Sequence, residues 1–149
     1  MRRRQFLKGA MIAAFAQTPA LAATRQRIEV YKNPDCGCCG QWAEHLQRNG
    51  FAVTIHETRD GAALRAKLGV PARLASCHTA TVDGYVVEGH VPATDIESLL
   101  KGRPKARGLA VPGMPTGSPG MEGPRGQPYD VLLIGTDGVT RVYLSYRGT

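Results

Sequence analysis

Asn33-Pro34-Asp35-Cys36-Gly37-Cys38-Cys39-Gly40-Gln41-Trp42 holds three of the chain's 4 cysteines. The short apolar run 28–31 precedes it, and Pro34 breaks regular structure just before the first cysteine. After it the pattern turns helical, with Trp42, Ala43 and Leu46 at three- to four-residue spacing and Asn49-Gly50 as a stop. A strand running through a tight turn into a helix puts Cys36 and Cys38 at or before the helix N-terminus. Free backbone N–H groups and the positive end of the helix dipole favour thiolate over thiol there. The counterpart of this stretch is Ser76-Cys77-His78-Thr79, which supplies the last cysteine and an imidazole beside it.

Working outward, 51–55 alternates apolar and polar like a second strand, and 60–68 reads as a second helix closed by Gly69-Val70-Pro71. A strand over 79–82, an Asp83-Gly84 hairpin turn and a returning strand over 85–87 follow. Thr94 with Glu97 has the form of a capping box ahead of Ile96, Leu99 and Leu100, predicting a third helix. Residues 102–128 contain 13 glycines and prolines among 27 positions, too many for helix or sheet, so a long irregular loop is expected. Because 129–134 and 139–146 read as a hairpin split by Thr136-Asp137-Gly138, that loop is an insertion within the domain.

The N-terminus sets the bounds. Arg2, Arg3, Arg4 and Lys8 flank a short apolar run over 9–16, and Ala20-Leu21-Ala22 has the form of a cleavage site, so 1–22 read as an export signal and 23–149 as one domain. Arg3-Arg4-Gln5-Phe6-Leu7-Lys8 resembles the twin-arginine address, the alternative being an ordinary secretory signal with extra arginines, and on either reading the periplasm is the expected destination. The signal holds four basic and no acidic residues, so its removal lowers the formal charge from +7 to +3. A chain of that charge with 6% aromatic residues lacks the concentrated basic face of a nucleic-acid binder. No later apolar run reaches membrane-spanning length, so no stable insertion is expected once the signal is cleaved.

Exported cysteines pair by default. Two bridges here would force two of the three clustered cysteines to pair with each other, as Cys38-Cys39, Cys36-x-Cys38 or the Cys36-x-x-Cys39 ring of redox sites. None staples distant segments except through Cys77, so a purely structural disulfide role fits poorly.

The order β-α-β-α-β-β-α with cysteines opening the first helix resembles an α/β thioredoxin-like fold. Cys36-Gly37-Cys38-Cys39 keeps its C-x-x-C frame, and Cys77-His78-Thr79 stands where that fold carries a cis-proline and threonine. This mapping implies that Cys77 and His78 face the cluster, turning a peptide-docking surface into a metal pocket. The chain also resembles the CopG-type family of exported bacterial proteins, long described as a domain of unknown function and associated with copper resistance. The likeness runs through Cys36-Gly37-Cys38-Cys39-Gly40, Leu74-Ala75-Ser76-Cys77-His78-Thr79, Val87-Glu88-Gly89-His90-Val91-Pro92, and Gly108-Leu109-Ala110-Val111-Pro112-Gly113-Met114-Pro115 to Gly120-Met121-Glu122.

The donor types point the same way, because thiolates and thioethers select soft ions, above all Cu(I). Four thiolates exceed the needs of one cuprous ion, and bridging sulfur allows several in a cluster. Cys36, Cys38, Cys39 and Cys77 are the expected ligands, with His78 at their edge. His90 is a candidate for support of the site or a simple helix-entry residue, and Met114 and Met121 are candidates for copper ligands or copper entry or for packing of the loop. Trp42 is expected in the core or as a wall of the pocket. His45 is expected in solvent, and His56 without a convergent partner. The expected partners are copper ions and other periplasmic copper-handling proteins.

A metal-binding protein is favoured over an enzyme, copper cycling between Cu(I) and Cu(II) at the site would join the two, and two further readings compete. Asn33-Pro34-Asp35-Cys36 resembles the opening of arsenate-reductase-like relatives, and C-x-x-C alone suggests thiol–disulfide exchange. A structural zinc site of three cysteines and a histidine is the other, disfavoured because adjacent Cys77 and His78 strain to reach one tetrahedral ion.

Overall fold

The computed structural model describes residues 25–148, so the export signal expected at 1–22 lies outside the described residues. The elements run β1 (Arg27–Lys32), α1 (Gly37–Arg48), β2 (Ala52–Glu57), α2 (Gly61–Leu68), a 3-10 turn (Ala72–Leu74), β3 (His78–Val82), β4 (Tyr85–Glu88), α3 (Ala93–Gly102), β5 (Gly108–Ala110), β6 (Tyr129–Ile134) and β7 (Thr140–Tyr146). Among the described residues the strands form one seven-stranded sheet in the order β2-β1-β3-β4-β5-β6-β7. The β1–β2 and β4–β5 pairs are parallel and the rest antiparallel. This is the α/β thioredoxin-like architecture expected from the order of elements.

Successive strand residues point to opposite faces, and here both faces are covered. Val87, Leu109, Val131 and Leu133 join Trp42 and Leu46 of α1 and Ile96 and Leu99 of α3 in the larger core. Their neighbours Val86, Ala110 and Ile134 pack with Val70 and Leu74 on the other side. The sheet is thus the middle of three layers, and β4 is buried at every position. Each fully buried Leu or Ile contributes roughly 1.5–3 kcal/mol, so Leu46, Ile96 and Leu99 account for much of what holds the two helices down.

Local chemistry ends the elements where expected. Asp60 Oδ1 accepts the Ala63 N–H at 3.0 Å, and Gly69 closes α2 in the left-handed region. Asp83 and Gly84 both have positive φ, as a two-residue hairpin turn of the primed type requires.

Four expectations need correction. The Gly/Pro-rich segment is not wholly irregular: α3 extends to Gly102, and Gly108–Ala110 slots between β4 and β6 as a strand. Glycine permits this, since a Cβ at Gly108 would stand 1.8 Å from the Val86 carbonyl oxygen. The capping box does not form, because α3 starts one residue before Thr94, with Pro92 at the cap position. His45 is not simply solvated: its Nε2 accepts the Ala93 N–H at 3.1 Å, serving an amide that the proline cap leaves unmet. His56 has a partner, the Glu29 carboxylate, and its ring stacks on Tyr31.

The β1–β3 register positions the site. Tyr31 pairs with Thr79 and Lys32 with His78 in antiparallel sense, so the turn leaving β1 lies beside the residue entering β3. The cysteine turn and Cys77 are brought together by sheet geometry alone.

Gly108→Ala is expected to lower stability by about 3 kcal/mol, since the new methyl meets backbone rather than a side chain that can turn away. Denaturant unfolding measures this. A loss below about 1 kcal/mol means that β5 moves away from β4 at little cost.

Candidate metal centre

Asn33 and Pro34 shape the turn that presents the cysteines. The Asp35 N–H donates to Asn33 Oδ1 at 2.9 Å and the Cys36 N–H to the Asn33 carbonyl at 3.0 Å. Cys36 becomes the N-cap of α1, with Cys38 in the first turn and Cys39 fully buried. Cys36 and Cys39 are joined in a disulfide, while Cys38 and Cys77 are free. This corrects the expectation of four free thiolates. The N-cap and the third helical residue lie on one side of the first turn, so of the three conceivable pairings the C-x-x-C ring closes most readily. Cys38 Sγ lies 3.5 Å from Cys36 Sγ and 4.0 Å from Cys77 Sγ. All four sulfurs fall within 4.8 Å of one another.

A second group interlocks with the first through Cys77, whose sulfur lies 3.3 Å from His78 Nδ1 and 3.0 Å from His90 Nε2. The separation from His78 removes the objection that adjacent Cys77 and His78 cannot serve one ion. His78 is 2% exposed, with the Trp42 ring 4.2 Å away and His90 edge-on at 5.0 Å. Burial, helped by His90, lowers its pKa to about 3, so it is neutral. His78 Nε2 is buried without a hydrogen-bond partner. Burial also lowers the pKa of His90, whose Nδ1 donates to the Pro119 carbonyl at 2.7 Å. A carbonyl only accepts, so the proton sits on Nδ1 and the Nε2 lone pair faces Cys77, the hydrogen bond on one ring nitrogen orienting the other as in histidine ligands.

Burial and then Cys38 push the Cys77 thiol up to about 12, so it keeps its proton at neutral pH until a metal displaces it. Glu88, invisible as a site residue in the sequence, anchors the segment from below. Its carboxylate accepts the Ser76 N–H at 2.7 Å and the Thr79 hydroxyl at 2.6 Å, bracketing Cys77 and His78, and Arg65 lies 3.6 Å away. Burial raises its pKa. The available signal was an acid at the end of an otherwise apolar strand.

The long loop reaches the site through its backbone. Gly120, at φ 82°, lies so close to α1 that a Cβ would stand 2.7 Å from the Trp42 nitrogen and 2.9 Å from the Cys38 carbonyl. The Gly113 N–H donates to the Ala75 carbonyl at 3.2 Å, and the Ser76 hydroxyl donates to the Gly113 carbonyl. Met114 and Met121 therefore follow residues that touch the two cysteine segments, Met114 half exposed at 51% and Met121 partly buried. Trp42 is both core and wall: its indole N–H donates to the Val91 carbonyl at 2.8 Å, fixing the chain beside His90.

The lowered His78 pKa has a sign that can be measured in metal-free protein. Below the unfolded value near 6.5 the unfolded chain takes up a proton that folded His78 refuses, so stability is lost as pH falls from about 6.5 toward 3. Relative to His78→Gln, the native protein should lose about 2 kcal/mol between pH 7 and pH 5. Parallel pH profiles for the two proteins would show that His78 protonates freely in the fold.

A family profile described as "Protein of unknown function, DUF411" matches residues 74–121, which span Cys77, His78, His90 and the Met-bearing loop. No curated protein matches the chain. Two solved structures, named copper resistance protein CopG in form 1 and form 2, superpose with a TM-score of 0.79 each at 47% identity. The alignments cover 83% and 82% of this chain and 98% of each of those chains. At that identity over that length, the chain belongs to the CopG family of copper resistance proteins.

Proposed function

We propose that this protein binds Cu(I) in copper resistance or homeostasis, holding more than one ion in a thiolate-bridged cluster when Cys36 and Cys39 are reduced. One observation carries the reading: four sulfurs within 4.8 Å of one another share Cys77 with two histidines held neutral. Soft, uncharged or singly charged donors at bridging distances suit cuprous ions better than zinc, which takes four ligands around one centre. Cys36, Cys38, Cys39 and Cys77 would hold the ions through sulfur, with His78 and His90 as nitrogen donors beside them. Met114 and Met121 form an outer thioether relay for incoming copper. Residues 1–22 direct export to the periplasm, where copper ions and other copper-handling proteins are the partners.

The Cys36–Cys39 bridge favours a second reading, redox turnover. If the two thiols each give one electron to Cu(II), the products are two Cu(I), the disulfide and two protons. The same bridge suits thiol–disulfide exchange on other substrates, an oxidoreductase without copper.

Anaerobic loading distinguishes these roles. Reduced protein should retain more than one Cu(I) per chain against zinc competition, and protein with the bridge closed should retain one or none. One ion or fewer in the reduced state, or equal retention of zinc, removes the cluster. Reduction of a model disulfide by copper-free protein at thioredoxin-like rates, abolished in Cys36→Ser, would instead establish the exchange enzyme.

A further inference from the structure

Beside the sulfur cluster lies a polar cavity of about 310 Å³. It sits past the carboxyl ends of the parallel strands β1 and β2, between Tyr31 and Asn33 on one side and Thr58, Arg59 and Arg65 on the other, with Cys77 and His78 in its wall. Crevices at the carboxyl ends of parallel strands are where open α/β sheets take ligands. The volume is at the lower end of small-molecule sites, which run from about 300 Å³, and matches a molecule of amino-acid size.

Two arginines line this cavity and no acidic side chain does. The Arg65 side chain is only 18% exposed, yet its contacts are long: 3.5 Å to the Ser76 carbonyl and 3.6 Å to Glu88. Good N–H···O bonds lie within about 3.2 Å, so the guanidinium keeps donors for another acceptor. Arg59 meets Asp35 at 3.4 Å in a pair exposed on both sides, an interaction a ligand displaces at little cost. The cavity therefore offers two cations to an anion, and guanidinium geometry suits a carboxylate held through two oxygens.

Cys77 belongs to both the cavity and the cluster. A molecule anchored by its carboxylate at Arg65 lies next to this sulfur, because Arg65 contacts the carbonyl of the residue before Cys77. We infer that the cavity is a docking site for the carboxylate of a small amino-acid-sized thiol, which carries Cu(I) to Cys77. The delivery step rests on the copper reading above; the carboxylate site does not. In that step Cu(I) leaves the donor thiolate for the Cys77 thiolate without change of oxidation state, and the proton lost by Cys77 passes to the departing thiol.

N-acetylalanine, which keeps the carboxylate and lacks sulfur, tests the site without copper. Titrated into metal-free protein, it should shift the amide resonances of Thr58, Ala62 and Ser76 along one saturable curve. Arg65→Gln should weaken binding about tenfold and Arg59→Gln about threefold. Arg65 lies beside buried Glu88, so the Arg59 variant, altered only at the surface, keeps the test meaningful if Arg65→Gln misfolds. Absence of saturable shifts, or unchanged binding in Arg59→Gln, overturns the site. Displacement by equimolar inorganic phosphate marks a general anion site and overturns the carboxylate assignment.

Delivery is read separately in pre-reduced protein. Cu(I) should transfer about tenfold faster from N-acetylcysteine than from N-acetylcysteamine, its analogue without the carboxylate, and Arg59→Gln should narrow the gap. Equal rates overturn the delivery role. If N-acetylalanine binds while no copper is taken up from either donor, the copper reading fails and the carboxylate site stands.

Discussion

The pairing of β1 with β3 is the constraint on which the rest depends. The site needs a turn rich in cysteine to meet a Cys-His pair about forty residues away, and chain flexibility alone would charge an entropic cost for that closure. The antiparallel register meets the cost with sheet hydrogen bonds and buried Ile28, Val30, Ala80 and Val82, side chains that fill the core whether or not a metal is present. Lys32 opposite His78 then leaves Cys36 to Cys39 and Cys77 at the same end of the sheet. A slip of one residue would send His78 to the opposite face, so core packing and ligand placement are specified by one alternation.

Burial sets the electrostatics of the site more than charge does. His78, His90 and Cys77 are all shifted toward their neutral forms, with desolvation the largest cause in each case. Cys77, His78 and His90 thus stand as uncharged donors in the metal-free site, and one donor atom, His78 Nε2, is without a partner. Cations entering it meet little repulsion, and the cost of deprotonating Cys77 is offset only by a strong sulfur–metal bond. That discriminates against hard ions before coordination geometry is considered. Glu88 is the exception, a buried carboxylate held by Ser76, Thr79 and Arg65, and its role is to fix the strand entry where Cys77 and His78 stand.

The strands and helices with strong periodicity are legible in the sequence, because alternation and helical spacing record which side chains face the core, while the meeting of Cys77 with the cluster follows from the thioredoxin-like resemblance. What escaped was carried by backbone or by context. β5 is three residues long and depends on Gly108 having no side chain, so its composition resembles loop. The start of α3 was misplaced because Thr94 and Glu97 have the right types for a capping box, while Pro92 and the His45 ring meet the need from elsewhere. The Cys36–Cys39 bridge is one of the pairings the spacing allows, and spacing alone does not rank them. Pro119 left no trace, since any residue supplies a carbonyl.

That carbonyl, held by His90, is one of the contacts that order the loop despite its composition. A segment of glycine and proline has little side-chain area to bury, so it must be held by specific contacts. Gly120 lies on the first turn of α1, Ser118 is fully buried, and the Gly113 and Pro119 carbonyls accept from Ser76 and His90. Positive φ at Gly113, Gly117 and Gly120 lets the chain turn closely enough to make these contacts, while its prolines lower the entropy lost on ordering. Each contact falls on the helix that carries Cys38 or on the segments that carry Cys77 and His90. The loop and the donor atoms therefore stabilise one another.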